Sequence, residues 1–218
     1  LKETNKNDYS IIESQLKQII QNGSRIELHI HPHWIDASYR RDSNDFVFCD
    51  YSNYKHDACP RNIYEHLFNE SIKLLNDIAK QVDPSYSITA FRAGGWCVDP
   101  FSNIEYLFKK HNLLIDSSVI PRSACNIEHQ SYDYNDIVND LPYRFEDDVH
   151  KINDNGSYIE IPISIYKYST YGKICHFIRK IINRNNLSRY GDGVASIPAE
   201  NRKFNIKTLK YLFTTSHN

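Results

Sequence analysis

Segments with strand periodicity and segments with helix periodicity alternate along this chain of 218 residues, and that alternation restricts the fold more than any other feature. Residues 25–30 (RIELHI) place Ile26, Leu28 and Ile30 on one face of an extended chain, with Glu27 and His29 on the other. Residues 87–91, 113–119, 158–163 and 213–217 read as further strands. Helical spacing links Ile12, Leu16, Ile19 and Ile20, then Leu67, Phe68, Ile72 and Leu75, then Ile104, Leu107 and Phe108. Ser10 with Glu13, and Ser102 with Glu105, have the spacing of a capping box, and Asn62 and Glu65 are placed to cap the middle helix. Gly23 and Asp83-Pro84 are placed as stops. Residues 172–183 and 205–211 also read as helices. This order implies an α/β protein with a mainly parallel sheet. Residues 36–60 and 121–157 are long and rich in Tyr, Asn and Asp, the character of binding loops or lids. No repeat or linker composition interrupts the chain, so a single domain over residues 1–218 is expected.

Charge removes one class of partner. Lys plus Arg number 26 and Asp plus Glu 27, for a net charge of −1, so nothing favours nucleic acid. Five cysteines (Cys49, Cys59, Cys97, Cys125 and Cys175) are scattered without a C-x-x-C pair. That usage argues against a disulfide framework or a cysteine zinc site and favours a reducing, cytoplasmic setting. No apolar run approaches the roughly 20 residues that span a bilayer.

The chemistry gathers at the predicted strand ends. Residues 29–33 read HIHPH, with His29 and His31 on one side of the strand and Pro32 turning the chain so that His33 returns. Imidazole is the commonest side-chain ligand of Zn²⁺ and similar ions. Arg92 follows the second strand, Asp116 the third and His217 the last. In α/β folds the carboxyl ends of parallel strands carry the active site. The bland readings are a polar turn for the histidines, an ion pair for Arg92, a turn cap for Asp116 and a frayed end for His217.

The segments HIHPH, FRAGGW, LLIDSSVIP, LPYRFEDD and YIEIPIS, in this order, resemble the polysaccharide deacetylase family, carbohydrate esterase family four, in the branch found near surface-polysaccharide genes. The resemblance covers roughly residues 29–163, with His217 beyond. It implies a distorted, incompletely closed β/α barrel of the TIM-like type. It also implies a divalent metal, Zn²⁺ first, and hydrolysis of an N-acetyl group on a carbohydrate. Carried over by position, His29 and His33 fall on the metal motif with His31 between them as a variant ligand. Arg92 falls on the arginine that orients the catalytic base, Asp116 near the aspartate that tunes the catalytic histidine, and His217 on the general acid. Trp34, Gly94, Gly95 and Trp96 are the candidate substrate contacts, aromatic faces for a sugar and backbone for an oxyanion. The family's first motif, an Asp-Asp pair ending an earlier strand, has no counterpart before His29, so the chain is expected to lack its first strand and to be catalytically weak. Two other readings stay open: a metal-dependent phosphoesterase or amidohydrolase on a β/α barrel, and a degenerate barrel that only binds glycan.

Overall fold

The computed structural model describes residues 6–43, 45–48 and 51–164. Helix α1 (Lys6–Gln21) leads to strand β1 (Leu28–Ile30). A 3-10 turn over Pro32–Asp36 then opens a hairpin of β2 (Ala37–Arg40) and β3 (Asp45–Phe48). Helix α2 (Arg61–Ala79) returns the chain to β4 (Ala90–Ala93). Two further 3-10 turns, Gly94–Trp96 and Phe101–Asn103, precede α3 (Glu105–His111) and β5 (Ile115–Asp116). A second hairpin, β6 (Ala124–Ile127) and β7 (Gln130–Asp133), is followed by β8 (Tyr143–Phe145) and β9 (Tyr158–Glu160).

The central sheet has the order β1-β4-β5-β9-β8, parallel except for β8, which runs antiparallel to β9. Register sorts its side chains into two faces. Leu28 aligns with Phe91, Phe91 with Asp116, Asp116 with Glu160, and Glu160 with Tyr143, and all five are buried. This face is covered by helices. The stripe Tyr64, Phe68 and Ile72 of α2 is buried, and the Phe68 ring centroid lies 5.4 Å from that of Phe91. Phe108 of α3 meets Phe91 edge-on at 5.7 Å, and Phe101 joins Phe108 and Phe145 at 4.8 Å each. Each such aromatic removes apolar area worth about 1.5–3 kcal/mol from water. The opposite face carries His29 aligned with Arg92, both exposed.

The α/β class and parallel sheet agree with the sequence reading. Among the described residues no closed barrel forms, since β1 pairs only with β4 and β8 only with β9. Several boundaries also move. Helix α1 starts upstream at Lys6, so Ser10 lies inside it instead of capping it. Helix α3 has Ile104 at its N-cap without a side-chain cap bond, and Asn112 closes it in the left-handed region at φ 55°. The strand expected over residues 113–119 is confined to Ile115–Asp116, because the Ser118 amide and hydroxyl both turn back onto the Asp116 carboxylate. The two long polar segments contain antiparallel hairpins. The elements expected over 172–183, 205–211 and 213–217 lie outside the described residues, as does His217.

Candidate functional site

The open face at the carboxyl end of the sheet is tied together by hydrogen bonds that cross strands. His29 Nδ1 lies 2.9 Å from the Arg92 carbonyl oxygen. A carbonyl only accepts, so this nitrogen carries the proton and leaves the Nε2 lone pair free. Arg92 donates from Nε to the Ser117 carbonyl at 2.7 Å and from Nη2 to the Ser117 hydroxyl at 3.0 Å. Ser117 in turn donates its hydroxyl to the Ile161 carbonyl at 2.9 Å. His29, Arg92, Ser117 and Ile161 thus form one row over the ends of β1, β4, β5 and β9.

The histidines pack ring against ring. His29 and His31 meet edge-on with centroids 4.6 Å apart, and His31 meets His33 the same way at 5.5 Å. Pro32 and His33 are buried in the turn that follows β1. Burial lowers the pKa of His31 to about 4, with His29 and His33 adding to the shift, and burial also lowers that of His33. Both imidazoles are therefore neutral at neutral pH, the form that can ligate a metal. The Nδ1 atoms of His31 and His33 are buried without a hydrogen-bond partner.

Two glycines allow this packing. A Cβ at Gly94 would overlap the Ile30 carbonyl oxygen and sit 3.0 Å from His31 Nδ1. Gly95 adopts φ +61°, and a Cβ there would overlap the Tyr54 ring. That ring stacks on His33 at 4.9 Å and 11°. Tyr51 lies 5.3 Å from His33 and stacks on His129 at 6.2 Å. Tyr51, Tyr54, His129 and Gln130 line a cleft of about 350 Å³ beside the histidine run. Gln130 fixes one wall by donating to the Gly95 carbonyl at 2.8 Å.

His29, His31, His33, Arg92, Gly94 and Gly95 are thus brought into one neighbourhood. Trp34 is 51 % exposed on the rim, edge-on to Phe48 at 4.9 Å. Trp96 has φ 62°, and its carbonyl accepts the Tyr134 hydroxyl at 2.6 Å while its ring meets Tyr132. Asp116 is not brought to this face. It is fully buried in the helix-covered row, because its register with Phe91 fixes its side chain on the side opposite to Arg92.

Sequence reasoning missed three features. Tyr51 and Tyr54 lay in a segment read as a binding loop or lid, but neither was singled out. Glu160 was one letter of a strand. A third group could hold a metal ion: the ligand atoms of Asp99, Asp148 and His150 lie within 4.8 Å of one another. His150 Nδ1 also lies 2.9 Å from the Asp136 carboxylate, and Lys151 pairs with Asp148 at 3.0 Å. The signal was present in FEDDVH, where acidic residues precede a histidine. Among the described residues, Asp99, Asp148 and His150 are the one group of three whose ligand atoms come that close: His29, His31 and His33 do not converge in the same way, with or without a carboxylate. No helix of the described residues is long and apolar enough to cross a membrane.

Comparison with known proteins adds no relative: no family model, no curated protein and no solved structure matches the chain.

Proposed function

We propose that this chain is built as a metal-dependent hydrolase that removes N-acetyl groups from a sugar or polysaccharide. One observation carries the reading: two neutral imidazoles, the half-buried His31 and the buried His33, each with a buried and unpartnered Nδ1, stand beside a tyrosine-walled cleft, next to the strand-end face that holds His29 and Arg92. Imidazole suits a borderline divalent ion, Zn²⁺ first, and His29, His31 and His33 are its candidate holders by donor chemistry, although their ligand atoms do not converge as those of Asp99, Asp148 and His150 do. Such an ion supplies Lewis acidity toward an amide carbonyl when bound. The chain's own residues prepare the rest. Arg92 stays exposed after giving two N–H groups to Ser117, so its fork retains donors for a carboxylate. The faces of Tyr51 and Tyr54 suit the apolar side of a pyranose ring.

The test measures acetate release from N-acetylated oligosaccharides with added Zn²⁺, together with the metal content of the wild type, His29→Ala, His33→Ala and His150→Ala. The reading expects acetate from the wild type and metal loss in both strand-end variants. Metal kept by those two and lost from His150→Ala would move the ion to the Asp99, Asp148 and His150 group. A binding-only reading is favoured by one observation: among the described residues the histidine run belongs to no group of three converging metal ligands. It predicts glycan binding with metal present and no acetate. Phosphate release from a phosphoester in place of acetate would instead support the phosphoesterase reading.

A further inference from the structure

We infer that Asp116 and Glu160 share a single proton and act together as a positioning pair, holding the Ser117–Val119 segment to which Arg92 is bonded. The two carboxyls are in register on adjacent parallel strands, and each residue is 0 % exposed. Their donors can be counted. Asp116 accepts the Ser118 amide at 3.2 Å and the Ser118 hydroxyl at 2.7 Å. That hydroxyl accepts the Ala93 N–H at 2.8 Å, so its own hydrogen points to Asp116. Glu160 accepts the Val119 amide on Oε1 at 3.0 Å, while its Oε2 is buried without a donor. Among the described residues no Lys or Arg is bonded to either carboxyl.

Two adjacent buried negative charges held only by neutral backbone and serine donors are not sustainable, since an unpaired buried charge costs several kcal/mol. A proton on Glu160 Oε2, donated to Asp116, removes the repulsion and partners the orphan oxygen in one step. The tyrosines that face the pair cannot supply this proton in its place. Tyr134 gives its hydroxyl to the Trp96 carbonyl and Tyr143 gives its own to the Val149 carbonyl. Both phenols, and that of Tyr64 on α2, are pushed up by burial and stay neutral. Burial and the neighbouring Asp116 push Glu160 far above the usual carboxylate range. Asp116 is raised by burial too, but its Ser118 donors oppose the rise, which makes Glu160 the protonated partner.

The consequence for the site rests on the proposed hydrolase reading. Asp116 and Glu160 grip Ser118 and Val119 from the helix side, and Ser117 presents its carbonyl and hydroxyl to Arg92 on the open side. Loss of the proton at high pH therefore loosens the anchor of Arg92.

The test uses the full chain without substrate. Infrared spectroscopy at neutral pH is expected to show a protonated carboxyl band that Glu160→Gln removes. Thermal unfolding against pH should fall on the alkaline side in the wild type, and much less in Glu160→Gln, whose amide donates without titrating. Hydrogen exchange at the Ser118 and Val119 amides should quicken at least tenfold in Glu160→Ala and stay near wild type in Glu160→Gln. If the alanine variant does not fold, the glutamine variant and the infrared band still decide. A wild type without the band, or a Glu160→Gln protein with an unchanged alkaline decline, overturns the proposal. Absence of deacetylation in the wild type would remove the role given to Arg92 and leave the shared proton standing.

Discussion

The two faces of the central sheet are built by the same strands one residue out of step, yet they do opposite work. The covered face runs Leu28, Phe91, Asp116, Glu160, Tyr143, every member buried under α2, α3 and their connections. The open face runs His29, Arg92, Ser117, Ile161, exposed or half-buried and tied by hydrogen bonds. The period of two in a strand makes this separation automatic. What it teaches is that polarity alone does not assign a residue to chemistry: the two carboxyls of the covered face are as polar as Arg92, and they belong to the core.

The largest break in this comparison is Phe91→Ala. Its ring lies between Phe68 and Phe108, and it should cost about 3–5 kcal/mol in denaturant unfolding, through lost transfer energy and the cavity left behind. His29→Ala, on the adjacent strand but on the other face, should stay within roughly 0.5 kcal/mol. Equal costs would mean that the open face is packed as tightly as the covered one.

A pH series probes the same contrast. The folded pKa values of Asp116 and Glu160 are raised, so below ordinary carboxylate pKa values the folded and unfolded forms are both protonated there and the pair contributes no slope. As pH rises above that range the unfolded carboxyls lose protons that the folded pair retains, so stability contributed by the pair falls until the folded value is passed. Melting temperature should therefore decline toward alkaline pH in the wild type, and Asp116→Asn should flatten that decline.

Gly94→Val comes next. The Cβ would run into the Ile30 carbonyl and crowd His31, which should cost about 1–3 kcal/mol by overpacking. Metal affinity should fall with it if the imidazoles are displaced. Unchanged affinity by calorimetry would separate the histidine geometry from the close approach of Gly94.

The sequence shows the strand faces where the alternation is clean. Ile26, Leu28 and Ile30 are buried and His29 is exposed, as their spacing predicts. It misleads at β9. There the alternation in YIEIP invites Ile159 and Ile161 inward, but pairing with Asp116 buries Tyr158 and Glu160 and leaves Ile161 40 % exposed. No local pattern encodes that choice, because it depends on a partner carboxyl more than forty residues away. The site is legible to the same limit. HIHPH and the Arg92-Ala-Gly-Gly run meet because β1 and β4 are neighbours, which parallel α/β order predicts. Tyr51, Tyr54 and His129 reach the histidines through two hairpins whose polar sequences resemble loops.

The smallest expected effect on stability is the most informative about the open face. Arg92 is exposed, and its bonds to Ser117 are made from a solvated position, where such contacts are worth roughly 0–1 kcal/mol. Arg92→Lys keeps the charge and most of the stem, so the change in unfolding free energy should be about 0.5 kcal/mol or less. The ammonium cannot reproduce the planar fork that meets both the carbonyl and the hydroxyl of Ser117 and still has donors to offer. If Arg92 serves the proposed hydrolysis, acetate release should fall by tenfold or more in a protein that melts like the wild type. Loss of stability with activity per folded molecule retained would instead place Arg92 with the covered face, as a structural tie between β4 and the end of β5, and the contrast between the two faces would no longer mark the site.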